Sequence, residues 1–333
     1  MKIHTTQNWH IGCGLELLDD LEKDSVTLMI LDLPYYKVVA NEWDNQWRTL
    51  DEYLDWCKEW FVKSERVLKD NGSMYYFNSQ YKVINAANTL IESCTSLKFR
   101  QFITIDKGIN SIAGRTSVAA LRSYPKASEY VMFYTFQDES GLTTITHDVN
   151  NFKSLRQYFK DFQEAIEMSK SEIVKHIGQN VDHCFRWKSS QWMLPTEDAY
   201  TKLCRLCINP TFFIREYKEL RCEYEELRCE YEDLRYIFNL QTGHTDVWSV
   251  DFYKEHRHGH PTQKPFDLIK RIVLTSSNAG DLVCDPAMGT GTTMKVCKVH
   301  NRNFIGAEID PEYESAIRDR CMTHTPLLTS YGA

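Results

Sequence analysis

Two stretches of this 333-residue chain carry the residue types of an active site. The first is Asp32-Leu33-Pro34-Tyr35, an acid–proline–aromatic corner that follows the apolar run Val26-Thr27-Leu28-Met29-Ile30-Leu31. A carboxylate in that position stands at the carboxyl end of a strand, where open α/β sheets build their sites. The second is Asp285-Pro286-Ala287-Met288-Gly289-Thr290-Gly291, lying between a strand and a helix. Glycines at such a junction let the backbone approach a ligand closely, and the helix N-terminus offers unpaired N–H groups. Glu308, at the end of the next strand, is placed to accept hydrogen bonds from two ribose hydroxyls. No phosphate loop of the Gly-x-x-x-x-Gly-Lys-Ser/Thr type is present, and the triple-glycine spacing of a dinucleotide site is missing.

The elements that must hold these residues follow from hydrophobic patterning. About six apolar residues ending at Leu31 suit a parallel strand covered on both faces. A short strand and a helix over Leu15–Leu18 come before it, and 41–47 reads as a loop. Leu50 to Val67 has helical spacing, and Lys69-Asp70-Asn71-Gly72 is expected to stop that helix before the strand Ser73–Phe77. A helix over 81–94 and strands near 99–105 and 129–135 follow, with a loop over 106–128. From Gly243 the chain returns to an α/β pattern: a helix over Phe266–Ser276, a strand ending in Asp285, a helix from Thr292, a strand ending in Glu308, and a last helix.

The intervening segment is different in character. Residues 152–209 read as helical and polar, and Met168 to Lys188 has the pattern of a helix-turn-helix, with Ile173, Val174 and Ile177 facing inward and Gly178 at the turn. A second helix from Val181 would present Asp182, His183, Arg186 and Lys188 outward, as a recognition helix does. An ordinary helical hairpin fits the same pattern. Residues 215–236 repeat a heptad seam of Tyr217, Leu220, Tyr224, Leu227, Tyr231 and Leu234. Three heptads are short for independent dimerisation, so packing within the chain is slightly favoured over a homodimer. Three segments result: 1–150, 151–242 and 243–333.

Composition bounds the function. Hydrophobic residues make up 42% and charged residues 26%, ordinary for a soluble globular protein. No apolar run approaches the length of a membrane span, and the first residues lack a signal-peptide pattern, so the expected compartment is the cytoplasm. Eleven scattered cysteines do not form a disulfide framework, and the single pair Cys204 and Cys207 reads as helix packing. His256, His258 and His260 alternate without clustered carboxylates, which suits a structural or substrate-facing loop, and no metal is expected. The net charge of −7 does not suggest a nucleic-acid binder, but contact needs a basic patch rather than a basic protein. Between Lys98 and Glu129 six basic residues face two acidic ones.

The corner at Asp32, the run His260-Pro261-Thr262-Gln263-Lys264-Pro265 and the glycine turn at Asp285, in this order, resemble the β-group of DNA amino-methyltransferases. The resemblance covers roughly 1–135 and 243–320 of the chain. It implies a Rossmann-like α/β sheet, mixed and mostly parallel, with an inserted helical target-recognition region. It also implies S-adenosylmethionine as cofactor, bound by His260, Thr262, Lys264, Pro265, Asp285, Pro286, Gly289, Gly291, Thr292 and Glu308. In the family the corner holds the exocyclic amine of a flipped base, a poor nucleophile because its lone pair is delocalised into the ring. Asp32 would be the carboxylate and Leu33 the carbonyl that accept the amine protons, Tyr35 would stack on the base, and Pro34 is the fourth residue of this catalytic corner. Lys107, Arg115, Arg122 and Lys126, with Arg186 and Lys188, are the candidates for contact with double-stranded DNA.

Three positions depart from the family pattern. Leu33 replaces a proline, Cys13 stands where an aspartate is frequent, and Ala287 replaces a common phenylalanine. The acidic first residue of the corner favours adenine N6 over cytosine N4, and Trp43 and Asp44 point the same way. Cytosine N4 methylation and a DNA binder with impaired catalysis stay open as alternatives, as does a cognate restriction endonuclease as partner.

Overall fold

The structure, a computed structural model, describes residues 5–38, 42–108, 122–136, 152–187, 189, 192–234, 236–239, 243–250 and 262–322. In chain order the elements are β1 (Gln7–Ile11), α1 (Gly14–Asp20), β2 (Val26–Leu31), α2 (Glu42–Asn45), α3 (Leu50–Val67), β3 (Leu68–Asn78), α4 (Tyr81–Cys94), β4 (Lys98–Asp106), β5 (Ser128–Thr135), α5 (Lys153–Ala165), α6 (Lys170–Ile177), α7 (Glu197–Leu206), α8 (Tyr217–Leu234), β6 (Val247–Ser249), α9 (Phe266–Ser276), β7 (Leu282–Asp285), α10 (Thr292–Val299), β8 (Asn303–Glu308) and α11 (Glu314–Met322). The chain divides into two compact units, Met1–Ser140 with Tyr236–Ala333, and Gly141–Arg235.

In the first unit one sheet runs β1-β8-β7-β2-β3-β5-β4-β6. The first five strands of that order are parallel, and β5 runs antiparallel to both β3 and β4. β2 is buried along its whole length. Its alternate residues serve opposite faces, as the two-residue strand period requires. Met29 and Leu31 join the apolar cluster that includes Tyr53, Trp60, Phe61 and Ile84, from α3 and α4. Leu28 and Ile30 join the cluster that includes Leu268, Ile272 and Val296, from α9 and α10. From β2 the chain crosses to β3 on one side, and from β7 to β8 on the other. The carboxyl ends of β2 and β7 therefore flank the switch point of the sheet, where doubly wound folds open a crevice.

Two local expectations change. The turn residues Lys69–Gly72 do not separate helix from strand: β3 starts at Leu68 directly after α3. Its pairing with β2 slips from Val26↔Leu68 to Leu28↔Ser73, so those residues form an irregularity within the strand. Part of the expected loop 41–47 is the short helix α2.

The second unit has its own core, built from Leu155, Phe159, Phe162, Ile173, Val181, Phe185, Tyr200, Leu203 and Leu220 among others. Helix α6 is closed at its start by a capping box between Ser169 and Glu172, as the sequence pattern requires. After Gly178, at φ 115°, the chain forms a 3-10 helix over Gln179–Phe185, not the α-helix of a helix-turn-helix. Asp182 is engaged by Lys170 and Arg186 within the unit, so this segment does not present the outward row expected of a recognition helix. Lys188 lies outside the described residues. The heptad seam packs inward: Leu220 is fully buried, Tyr224 stacks on Phe152 at 4.8 Å, and Tyr217 and Leu227 cover the same core. No helix among the described residues is long and apolar enough to cross a membrane.

Candidate active site

Asp32 leaves the end of β2, Asp285 closes β7 and Glu308 closes β8, so three neighbouring strand ends deliver three carboxylates to one crevice. A cavity of about 790 Å³ opens there, lined by Asp32 to Tyr35, Asp285 to Thr290 and Glu308, with Cys13, Lys107 and Glu129 also on its wall.

The corner is held from behind. The Asp44 carboxylate accepts the Tyr35 backbone N–H at 2.7 Å, and the Tyr53 hydroxyl donates to the Pro34 carbonyl at 3.0 Å. Leu33 lacks a proline ring, but its side chain is 2% exposed and sits in the cluster with Trp47, Tyr53 and Trp60. Because Tyr53 takes the Pro34 carbonyl, the Leu33 carbonyl is the acceptor of the corner to which no described residue donates.

Lys264 is the main departure from the sequence reading. Its ammonium does not sit in the glycine turn but in the corner, 2.7 Å from Oδ1 of Asp32 and 3.2 Å from the Tyr35 hydroxyl. The Tyr35 hydroxyl also bonds to Oδ1 of Asp32, at 3.0 Å. Both contacts use the same carboxylate oxygen. No donor to Oδ2 is found among the described residues. Lys264 is buried, with its charge 5.2 Å from the Tyr35 ring centroid and 5.4 Å from that of Phe77. Burial alone would pull the ammonium down, but Asp32 and Glu129 more than reverse this, and Lys264 is held above the ordinary lysine value. Tyr35 is only 7% exposed, yet it lines the cavity. Burial, followed by the Asp32 charge, raises its phenol well above the usual range.

Glu129 escaped the sequence reading. It is buried, accepts from Lys107 at 2.7 Å and lies 3.8 Å from Lys264. Burial would raise its carboxyl, yet the Lys264 and Lys107 charges hold it below the usual range. The available signal was an acid placed next to strand residues within an otherwise basic stretch.

The glycine-turn side of the cavity is built on backbone geometry. Gly291 caps α10 in the left-handed region at φ 79°, a conformation that favours glycine. At Gly14 a Cβ would come within 2.0 Å of the Pro286 carbonyl, so only glycine lets α1 approach the turn. Glu308 accepts the Gly289 N–H at 2.8 Å and the Asp310 N–H at 2.9 Å, which fixes the carboxylate while leaving further lone pairs. Asp285 accepts the Thr293 hydroxyl at 2.5 Å, and burial pushes its carboxyl up to about 7. Burial likewise raises Glu308. The loop of Gln263 and Lys264 is clipped to this turn: the Thr290 hydroxyl donates to the Gln263 side chain at 2.9 Å, and the Thr292 hydroxyl to the Lys264 carbonyl at 3.1 Å.

The remaining candidates fall in several places. Thr262 and Pro286 line the cavity, and Pro265 caps α9. His260 and Arg115 lie outside the described residues. Lys107, expected on DNA, is paired with Glu129, while Arg122 and Lys126 are exposed just before β5. Arg186 is in the second unit, paired with Asp182.

The sequence matches the family model described as DNA methylase over residues 26–319. The chain belongs to that family. Among curated relatives it is 47% identical over 308 residues to the type II methyltransferase M.BglII of Bacillus subtilis, covering 91% of this chain and 65% of that one. It is 26% identical to the type II methyltransferase M1.MboII of Moraxella bovis, covering 94% and 93% of the two chains. The fold is shared with the cytosine-N4-specific PvuII DNA methyltransferase, at TM-score 0.55 and 14% identity over 96% of this chain and 89% of that one.

Proposed function

We propose that this DNA methylase transfers a methyl group from S-adenosylmethionine to N6 of an adenine extruded from duplex DNA. When bound, the cofactor supplies a methyl group activated by a sulfonium. The residues present fit such a cationic ligand: Asp285 and Glu308 bring two carboxylates to the cavity, and Glu308 is braced by two backbone N–H groups with lone pairs left for a ribose diol.

One observation carries the reading. Lys264 and Tyr35 both hold Oδ1 of Asp32, so Oδ2 and the Leu33 carbonyl are the two acceptors left for a substrate amine. Two acceptors on the amine protons draw its nitrogen towards tetrahedral geometry and stabilise the positive charge it develops. Positioning of the amine supplies much of the acceleration. The acidic first residue of the corner supports adenine over cytosine. His260, Thr262 and Pro265 stay assigned to the cofactor side, and Lys264 moves to the catalytic corner.

The second unit is the target-recognition region in this reading, and Arg122 and Lys126 contact phosphate. The type II relatives support a role beside a cognate restriction endonuclease, in the cytoplasm where DNA is the substrate. Nucleoside mass spectrometry of DNA incubated with labelled S-adenosylmethionine tests the proposal. N6-methyladenine supports it, and N4-methylcytosine would overturn the choice of base.

A further inference from the structure

Glu129 has no role in the methyl-transfer reading as it stands, yet its surroundings are costly. It is 8% exposed, on β5 opposite Ile105 of β4, and lines the same cavity as Asp32. Oε1 is satisfied by Lys107, but Oε2 is buried without a hydrogen-bond partner and looks across 3.8 Å to the Lys264 ammonium. A buried carboxylate with an unmatched oxygen is unfavourable, and an apolar residue would serve packing better. Lys264 thus stands between two carboxylates, closer to Asp32 at 2.7 Å than to Glu129.

We propose that Glu129 is a positioning residue for the transfer reaction: it shares the charge of Lys264 with Asp32, so that the ammonium orients the Asp32 carboxylate without consuming its capacity to accept the substrate amine. This rests on the methyl-transfer reading. A lone ammonium at contact distance would draw the electron density of Asp32 towards Oδ1 and weaken Oδ2 as an acceptor. Glu129 pulls on the same ammonium from the other side. Around the pair, Asp285 at the end of β7 and the Tyr35 hydroxyl face Asp32, while Lys107 after β4 and Lys126 before β5 face Glu129. Glu308 at the end of β8 bears on Asp285, and Asp44 and Tyr76 lie behind Tyr35.

The test is the single-turnover rate of methyl transfer against pH for wild type, Glu129→Gln, Glu129→Asp and Lys264→Met, with cofactor affinity and melting temperature measured on each. Glu129→Gln is expected to lower the rate roughly 10-fold, the scale of losing one nearby charge from a partly screened site. Its cofactor affinity should stay near wild type. Its acidic limb should move to lower pH, because a negative charge beside the Lys264 ammonium and the cavity carboxylates has been removed. Lys264→Met should move the limb the opposite way, and Glu129→Asp should restore most of the rate. A Glu129→Gln enzyme with the wild-type rate and limb overturns the inference, as does one that loses rate with the limb unmoved, which would assign Glu129 to packing. A wild type that transfers no methyl group to any DNA sinks the transfer reading and this inference with it.

Discussion

The Tyr53 hydroxyl donates to the carbonyl of Pro34 across 3.0 Å, tying the first turn of α3 to the corner that carries Asp32. Tyr53 is fully buried, and its oxygen also meets the Tyr76 hydroxyl at 3.3 Å and the Asn78 amide at 3.4 Å. A hydroxyl network thus runs from β3 to the corner and claims the Pro34 carbonyl, leaving that of Leu33.

Removing that hydroxyl is expected to do two things. Tyr53→Phe should cost about 1–2 kcal/mol of stability, since the Pro34 carbonyl and the Tyr76 and Asn78 groups lose a shared partner. It should also slow transfer, because an unclaimed Pro34 carbonyl competes with that of Leu33 for the amine. Denaturant unfolding and single-turnover kinetics on the same preparation check both. Unchanged kinetics would mean that packing of Leu33 alone holds the corner.

With Asp285 on the proposed cofactor side, cofactor binding is expected to depend on pH near neutrality. Burial pushes the Asp285 carboxyl up to about 7, with the Asp32 charge adding to the rise against the Thr293 hydrogen bond. A cationic ligand favours the ionised form, so affinity should increase as pH rises through about 7, with proton release on binding below it. Ligand-free stability should run the other way. The folded state holds this proton more tightly than the unfolded chain, so the contribution is largest below the ordinary aspartate range and is lost as pH rises to about 7. Calorimetry in buffers of different ionisation enthalpy reads the proton count, and Asp285→Asn should flatten both dependences.

Charge at the segment before β5 should set the salt dependence of DNA binding. Arg122→Ala and Lys126→Ala are expected to weaken binding at any sequence and to lower the salt slope by roughly one for each phosphate left without its cation. Arg186→Ala should leave the slope near wild type, since Arg186 is paired with Asp182. A larger change for Arg186 than for the other two would return the recognition role to the 3-10 segment.

What could be read from the sequence was what is local. The corner at Asp32 and the glycine turn at Asp285 are contiguous motifs whose residue types state their backbone needs. Helices α3, α4 and α9 carry amphipathic spacing, and their ranges agree with that spacing. Pairings across the chain were not legible. Lys264 meets Tyr35 over 229 positions, and its motif suggested the cofactor rather than the corner. Glu129 acquires meaning only when β5 lies beside the Lys264 loop. The segment after Gly178 buries Val181, Cys184 and Phe185, spacing that suits either a 3-10 or an α-helix, and the ion pairs of Asp182 are tertiary information. The heptad seam could be seen, but the partner it packs against could not.

The most direct measurement is methyl transfer from labelled S-adenosylmethionine to mixed-sequence duplex DNA by wild type and Asp32→Ala, followed by nucleoside mass spectrometry. Label in N6-methyladenine with wild type, and its loss in Asp32→Ala with DNA affinity retained, is the result expected. Label in N4-methylcytosine, or equal label from both proteins, would contradict the assignment of Asp32 to an adenine amine.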